Sequence, residues 1–283
     1  MKLVRYLGGG APALGRLLDD HIVPLAPIAD RYPTMLQLIQ GGVSALELVE
    51  ATSVKGEHPV DLAGATLLCP IERPGKYLAI GMNYRKHIEE AERLGIPPPA
   101  NQVWFNKQTS CLAGPYDDIA PGPTDQLDYE VELCVVIGRG AKAVRSENAA
   151  AYVFGYTIAN DVSARDWQRH STTFTIAKSF DTYGPIGPCI VTADEVGDPH
   201  GLAIRTMVND EVRQSANTSD MLYSVWDQIA YLSAGMTLDP GDLLSTGTPS
   251  GVGISGVPPR FLRPGDTVRC EIEKIGAIIN HIK

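Results

Sequence analysis

The chain contains 283 residues, of which 44% are hydrophobic, and carries a formal net charge of −9 at pH 7. This length permits one large domain, or a main domain with a smaller one, and the apolar fraction is ample for a hydrophobic core. The acidic balance and the lack of any Lys/Arg cluster argue against nucleic acid as a partner and favour small molecules.

Two features of the sequence bear on its cellular compartment. Asp19, Asp20 and His21 interrupt the stretch in which a signal peptide would need its apolar core, and no apolar run reaches the roughly 18 residues of a membrane span. The five cysteines are widely spaced in mostly apolar contexts, which is typical of reduced core thiols and not of a disulfide or zinc framework. We therefore expect a cytoplasmic protein without a membrane segment.

Residues 1–70 form an opening segment that differs from the rest of the chain. A Gly-rich turn at residues 8–10 is followed by helical patterns at 34–40 and 44–51. We expect this segment to be a small N-terminal accessory domain, and residues 71–283 to form the main domain.

Short strands between Gly/Pro turns dominate the remainder. The predicted strands are 77–80, 129–137, 154–159, 188–192, 203–208 and 267–272. The predicted helices are few: 83–94, with Asn83 as its N-cap, and 219–234, opened by Ser219. The sequence therefore indicates an α+β fold in which strands predominate.

The helix predicted over 83–94 places His87 and Glu90 three residues apart on one face. A histidine oriented by a glutamate in this way can act as a base near neutral pH. A solvated charged face that includes Glu89 and Glu92 also explains these residues, and on spacing alone that interpretation is favoured.

The segment from Asp128 to Ile137 is apolar on both faces yet carries Glu130 and Glu132, which lie two residues apart and therefore on the same side of a strand. Two buried carboxylates repel each other and lose their hydration, so the pair should share a proton or bind a cation. An edge strand with a solvated face is the alternative. The glutamates alone slightly favour that alternative, whereas the apolar run on both faces opposes it.

Three further segments carry polar groups beyond what folding requires. Asp161 follows the strand at 154–159, where sites are often built, although an aspartate N-cap of a short helix explains Asp161 alone better. Lys178 precedes a Gly/Pro turn and, by itself, would be a surface lysine. The Gly-rich loop 246–253 can bind an anion, but it lacks the lysine and the spacing of a phosphate loop.

Taken together and in this order, these segments resemble the fumarylacetoacetate hydrolase family. The resemblance covers about residues 71–275, and the matching stretches are AIGMNYRKHIEE (79–90), DYEVEL (128–133), GYTIANDVSARDWQ (155–168), KSFD (178–181) and TGTPSGVG (246–253). It implies the β-roll fold of that family, a homodimer, and a Mg²⁺ or Mn²⁺ ion held by Glu130, Glu132 and Asp161. Oxygen ligands independently suit a hard cation of this kind.

The resemblance also implies roles for other residues. The implied catalytic residues are His87, Glu90 and Lys178, and the implied substrate-binding residues are Lys107, Arg165, Gln168, Gly247 and Thr248. His87 and Glu90 would position and deprotonate a water, Lys178 would contact a reacting oxygen, and the Gly247 backbone with Thr248 would bind a carboxylate.

The eukaryotic fumarylacetoacetate hydrolases proper resemble this stretch but have an additional aspartate seven residues before the histidine, where Ile80 stands here. The absence of that aspartate favours the smaller acylpyruvate hydrolase-like branch of the family. The resemblance then implies a metal-dependent hydrolase of aromatic catabolism that cleaves the C3–C4 bond of an acylpyruvate to pyruvate and a carboxylic acid. Decarboxylation of oxaloacetate, and isomerisation or decarboxylation of unsaturated 2-hydroxydioates, are alternatives within the same site. A noncatalytic ligand-binding relative is the alternative from another class. In each enzymatic case the partner is a small 2-oxo acid.

Overall fold

Strands predominate in the computed structural model, which describes residues 1–54 and 59–283. The strands are β1 (Lys2–Gly8), β2 (Ala11–Leu18), β3 (His21–Pro24), β4 (Val60–Asp61), β5 (Leu67–Leu68), β6 (Tyr77–Gly81), β7 (Val103–Asn106), β8 (Leu112–Ala113), β9 (Leu127–Asp128), β10 (Val131–Ile137), β11 (Val153–Asn160), β12 (Ser163–Ala164), β13 (Gly184–Thr192), β14 (Ala203–Val208), β15 (Glu211–Asn217), β16 (Leu243–Ser245), β17 (Thr267–Ile272) and β18 (Gly276–His281). The α-helices are α1 (Met35–Gln40), α2 (Gly42–Val54), α3 (Arg85–Arg93), α4 (Arg165–Gln168), α5 (Ala193–Val196) and α6 (Val225–Gly235). The expected strand-dominated α+β class is confirmed.

The predicted helices are present, but α3 begins later than the sequence suggested. Asn83 does not cap it, because its Oδ1 accepts the backbone N–H of Tyr223 (2.8 Å), while its Nδ2 donates to the carbonyl oxygens of Tyr223 and Thr246 (3.0 and 2.8 Å). Tyr84 is the N-cap residue instead and makes no side-chain cap. Asn83 therefore ties the start of α3 to the loop that follows β16.

The start of α6 was also predicted wrongly. Ser219 belongs to a separate 3-10 turn, Thr218–Asp220, and α6 begins six residues further on at Val225. Ser224 and Asp227 form a capping box there, in which each side chain accepts the backbone N–H of the other. The spacing of these two residues was the signal in the sequence for the true start.

A large sheet forms the frame of the molecule. Within the described part of the chain its order is β4-β3-β2-β1-β13-β11-β10-β16-β6-β7, with β5 attached to β1 and β8 attached to β13. β10 and β11 are antiparallel neighbours, and their register pairs Val131 with Asn160. Because Asp161 immediately follows β11, this register places it beside Glu130, and the Asp161 N–H donates to the Glu130 carbonyl oxygen (2.8 Å).

A second sheet, ordered β15-β14-β17-β18, packs against β10, β11 and β13 of the first. The opening segment contributes β1, which pairs with β13 at Lys2 and Val191, and its apolar side chains share one core with those of the large sheet. The division into domains at residue 70 stays a prediction. Among the described residues, none of the helices has the length and apolarity that crossing a bilayer requires.

The interior agrees with two expectations from the sequence. Every residue of β10 is buried, so this strand is covered on both faces. The cysteines of the described chain are free thiols, and all but Cys69 are buried.

We predict that Gly155→Ala destabilises the protein. A Cβ added at this position of β11 would lie 2.3 Å from the carbonyl oxygen of Val191 in β13, and that backbone can move only by disturbing the sheet. Over-packing of this kind costs about 1–3 kcal/mol, so the midpoint of urea unfolding should fall.

Gly201→Ala is the matched control, because a Cβ there meets no atom within 4 Å. It should change the free energy of unfolding by less than about 0.5 kcal/mol. Equal unfolding midpoints for the two variants would contradict the close approach of β11 and β13.

Candidate active site

Three carboxylates converge where β10 begins and β11 ends. Glu130, Glu132 and Asp161 place carboxylate oxygens within 4.8 Å of one another, and the residues are 5%, 1% and 0% exposed. The solvated-edge interpretation of the glutamates is therefore wrong. Asp161 is not a helix cap either, since its carboxylate binds Lys107 and Lys178.

Two buried lysines neutralise part of this negative charge. Lys178 Nζ donates to Glu130 Oε2 (2.6 Å) and Asp161 Oδ2 (2.7 Å), so Lys178 is not a surface residue. Burial disfavours its charged form, but Asp161 and Glu130 outweigh burial and raise the pKa of Lys178. Lys107 Nζ donates to Asp161 Oδ1 (2.6 Å) and to the carbonyl oxygens of Lys178 and Tyr183. These hydrogen bonds use the three N–H groups of Lys107, which therefore fixes the position of the Asp161 carboxylate.

Arg165 is the third cation of the cluster. Its guanidinium donates to Glu130 Oε1 (2.5 Å), Asp128 Oδ2 (2.8 Å) and Gln168 Oε1 (3.1 Å). Burial opposes the ionisation of Glu130, but Arg165 and Lys178 outweigh it and lower the pKa of that carboxyl. Glu130 is therefore ionised, and its two carboxylate oxygens accept hydrogen bonds from Arg165 and Lys178.

Glu132 differs from its neighbours because, in the part of the chain that the structure describes, it forms no ion pair. Its Oε2 accepts the backbone N–H of Gly247 (2.9 Å). Burial, followed by the nearby charges of Asp161 and Glu130, raises the pKa of Glu132 well above its usual range. The backbone N–H of Gly247 thus orients the Glu132 carboxylate and is not free to bind a substrate carboxylate.

The charge balance of this cluster fits a divalent cation. The four buried carboxylates belong to Asp128, Glu130, Glu132 and Asp161, and the cations that pair with them belong to Lys107, Lys178 and Arg165. An ion bound by the three converging carboxylates would hold Glu132 ionised and would more than offset the surplus negative charge. A set of carboxylate oxygens is also what Mg²⁺ and Mn²⁺ prefer.

His87 and Glu90 form a pair on α3. His87 Nδ1 lies 3.2 Å from Glu90 Oε2, while Glu90 Oε1 accepts the Gly251 N–H (2.9 Å) and the Ser255 hydroxyl (3.0 Å). Glu90 is 8% exposed, so the solvated-face interpretation is wrong for it, although Glu89 is exposed. Burial opposes the charge of Glu90, but the contacts with His87 and Gly251 lower its pKa. The tautomer in which Nδ1 donates to this carboxylate has Nε2 available as a base.

A cavity of about 630 Å³ lies against these groups, a volume that suits a small organic acid. Its polar lining comprises His87, Glu90, Glu130, Glu132, Arg165, Gln168, Arg169, Lys178, Thr248 and Ser255. Its apolar lining includes Leu94, Ile96, Val103, Phe105, Phe174 and Ile254. The cavity thus brings together most of the predicted site residues, whereas Lys107, Asp161 and Gly247 are not part of its lining.

Asp128 and Gln214, for which the sequence predicted no role, hold parts of the site in place by hydrogen bonds. Asp128 accepts the N–H groups of Gly253 (2.7 Å) and Ile254 (3.1 Å), in addition to its bond from Arg165, and so fixes the Gly-rich loop. Gln214 of β15 donates to Thr248 Oγ1 (2.8 Å). In the sequence, the position of Asp128 as a charged residue just before an apolar strand was a signal for such a role. Gln214 lies in a polar strand, and no sequence feature distinguished it.

Residues 76–283 match the family model described as Fumarylacetoacetate (FAA) hydrolase C-terminal. Over 251 residues the chain is 43% identical to the Rattus norvegicus protein named oxaloacetate tautomerase Fahd2a, mitochondrial, and the match covers 88% of this chain and 79% of the relative. The name of that relative indicates a mitochondrial location, so the cytoplasmic location expected for this chain stays a prediction, as does the homodimer.

Solved structures are similar over the whole chain. Maleylpyruvate hydrolase from Sphingobium sp. SYK-6, in complex with manganese(II) and pyruvate, has a TM-score of 0.84 at 32% identity and covers 100% of this chain and 98% of its own. The 2-hydroxyhepta-2,4-diene-1,7-dioate isomerase from Mycobacterium marinum has a TM-score of 0.76 at 33% identity, with coverage of 100% and 98%.

We predict that Glu132→Gln removes the binding of a divalent ion. The amide keeps the shape of the side chain but takes away a negative charge that no ion pair balances. The melting temperature of the wild-type protein should rise with Mn²⁺ concentration, because an ion that binds only the native state stabilises it, and the variant should lose this rise. Glu89→Gln, an exposed change on α3, is the control and should keep it. An undiminished rise in Glu132→Gln would rule out this carboxylate as a ligand.

The lowered pKa of Glu90 predicts a pH-dependent contribution to stability. A carboxyl group whose folded pKa lies below its ordinary value of 4.5 stabilises the fold above pH 4.5, and this contribution is lost as the pH falls through the folded pKa. Urea unfolding should therefore show the largest loss of stability for Glu90→Gln near neutral pH and a smaller loss in acid. A loss that is the same at both pH values would show that the charge of Glu90 contributes nothing.

Proposed function

Because this chain belongs to the fumarylacetoacetate hydrolase family, we propose that it is a divalent metal-dependent enzyme that interconverts the enol and keto forms of oxaloacetate. The observation that carries the proposal is that the His87–Glu90 pair lines the same cavity as Glu130 and Glu132. A base thus lies beside a cluster suited to an oxygen-ligated cation. The likeness to the rat oxaloacetate tautomerase supports this choice of reaction.

Two residues are placed to orient the 2-oxo acid end of the substrate. Lys178 Nζ uses two of its three donors on Glu130 and Asp161, so the third is available for the oxygen at C2. Thr248 Oγ1 accepts from Gln214 and keeps its own proton for the substrate carboxylate. Both residues line the cavity.

Negative charge develops at the C2 oxygen when the enol loses its proton. A Mg²⁺ or Mn²⁺ ion held by Glu130, Glu132 and Asp161 would supply Lewis-acid stabilisation of this charge when bound. Lys178 stabilises the same charge from the protein side, and its burial strengthens that interaction relative to water.

His87 carries the proton in this reaction. Its Nε2 removes the proton from the enol oxygen at C2, which leaves the enolate of oxaloacetate, and then returns it to C3 to give the keto form. The Glu90 carboxylate stabilises the imidazolium that exists between the two steps. The transfer consumes no water and needs no oxidant, so atoms and charge balance.

Hydrolysis of the C3–C4 bond of an acylpyruvate is the second candidate, supported by the likeness to maleylpyruvate hydrolase. His87 would deprotonate a water that attacks C4, the C3–C4 bond would break, and protonation of C3 would yield pyruvate. Both reactions end with protonation of the same enolate carbon. Decarboxylation of oxaloacetate needs no base at this position, so the His87–Glu90 pair favours the other two reactions.

We predict that His87→Gln lowers kcat for the ketonisation of enol-oxaloacetate by roughly 10²–10⁴-fold, the usual contribution of a general base. The rise in melting temperature with Mn²⁺ should persist, because His87 does not belong to the carboxylate cluster. Loss of the enol absorbance in the presence of Mn²⁺ measures the rate, and an assay of pyruvate separates ketonisation from decarboxylation.

Lys86→Gln, a change to an exposed neighbour on α3, is the control and should retain the wild-type rate. Acetylpyruvate is offered in parallel to detect hydrolysis. A wild-type rate in His87→Gln would overturn the assigned base, and pyruvate formed from acetylpyruvate without ketonisation of oxaloacetate would select the second candidate.

A further inference from the structure

One cation on the cavity has no carboxylate partner. Arg169 lines the cavity, and its Nη2 donates to Gln126 Oε1 (3.1 Å), but within residues 1–54 and 59–283 it forms no ion pair. The other permanent cations of the lining, Arg165 and Lys178, are both paired with buried carboxylates. Arg169 is therefore the lining cation whose charge the protein itself does not balance.

The position of Arg169 follows from its place at the end of α4. It is the C-cap residue and keeps a helical backbone, so it lies one turn beyond Arg165. Residues four apart on a helix share one face and are separated by about 6 Å. Arg165 is 6% exposed and anchors Glu130, whereas Arg169 is exposed. Arg169 thus lies one helical turn beyond the residue that anchors Glu130, at an exposed part of the cavity lining.

We propose that Arg169 binds the distal carboxylate of a dicarboxylic 2-oxo acid, and so selects four-carbon dioates over acylpyruvates that carry a single carboxylate. This inference rests on the proposed function, which places the 2-oxo acid end against Lys178 and Thr248. In a four-carbon dioate two carbon atoms separate the carboxylates, a span comparable with one helical turn. Because Lys178, Thr248 and Arg169 line one cavity, the proposed pose directs the distal carboxylate to Arg169.

The chemistry of the guanidinium suits this role. A guanidinium has a planar fork that binds a carboxylate through two parallel hydrogen bonds. The contact with Gln126 engages Nη2 of Arg169, and the guanidinium has further N–H groups for a ligand. The apolar residues Ile96 and Phe174 of the same lining offer no competing charge. A substrate with an uncharged tail gains nothing from Arg169.

The test compares two unreactive ligands, (S)-malate and (S)-lactate, which share a 2-hydroxy carboxylate end and of which only malate has a distal carboxylate. Each is titrated by calorimetry into Mn²⁺-loaded protein. The wild type should bind malate roughly tenfold to a hundredfold more tightly than lactate, the effect expected of a charge-assisted bidentate contact. Arg169→Gln should abolish this ratio by weakening malate alone, and Arg169→Lys should restore part of it.

Arg145→Gln is the matched control, because the Arg145 side chain is 76% exposed, pairs with Glu147 and does not line the cavity. It should leave the malate-to-lactate ratio unchanged. A wild-type protein without preference for malate, an unaltered ratio in Arg169→Gln, or an equal loss of affinity for both ligands would each overturn the inference. Since binding is measured without turnover, an Arg169-dependent preference for malate in a protein that fails to ketonise oxaloacetate would refute the proposed reaction alone.

Discussion

The burial of four carboxylates beside three cations is the constraint on which the rest of this structure depends. Transfer of each charge from water into the protein costs several kcal/mol, and close pairing offsets that cost for Asp128, Glu130 and Asp161. Glu132 is left with a raised pKa and a single backbone donor. A divalent ion bound there would offset the repulsion among the carboxylates and would change the local net charge from negative to positive. An anionic 2-oxo acid is then attracted to the cavity.

The same arrangement suits both of the proposed reactions. Lys178, together with a cation held by the carboxylate cluster, would favour negative charge on a substrate oxygen, and in the proposed mechanism His87 with Glu90 transfers the proton. In the proposed tautomerisation the enolate forms by loss of the enol proton, and in C3–C4 hydrolysis it forms by cleavage of the carbon–carbon bond. In both reactions the enolate is then protonated at C3. The choice between them therefore depends on the far end of the substrate, where residues outside the carboxylate cluster make contact.

The sequence predicted the strand-dominated fold because strand and helix patterns are local, whereas the candidate site residues were named from the family resemblance. The apolar run around Glu130 and Glu132 indicated buried charge although the glutamates alone slightly favoured a solvated edge, and the resemblance carried by the ordered motifs implied that Asp161 would join them. Contacts between segments could not be predicted in this way. Lys107 donates to the carbonyl oxygen of Lys178, 71 residues further along the chain, and to the carboxylate of Asp161. These contacts become visible only when the strands are paired in the folded chain. Asn83 likewise has the sequence of an N-cap, but its amide binds a loop 163 residues away.

The most direct test of the central claim is to locate the ion. Crystals grown with Mn²⁺ and pyruvate should give an anomalous difference peak in coordination contact with an oxygen of Glu130, Glu132 and Asp161, with the pyruvate oxygens completing the coordination. A well-ordered cluster without such a peak, or a peak whose ligands omit Glu132, would contradict the account.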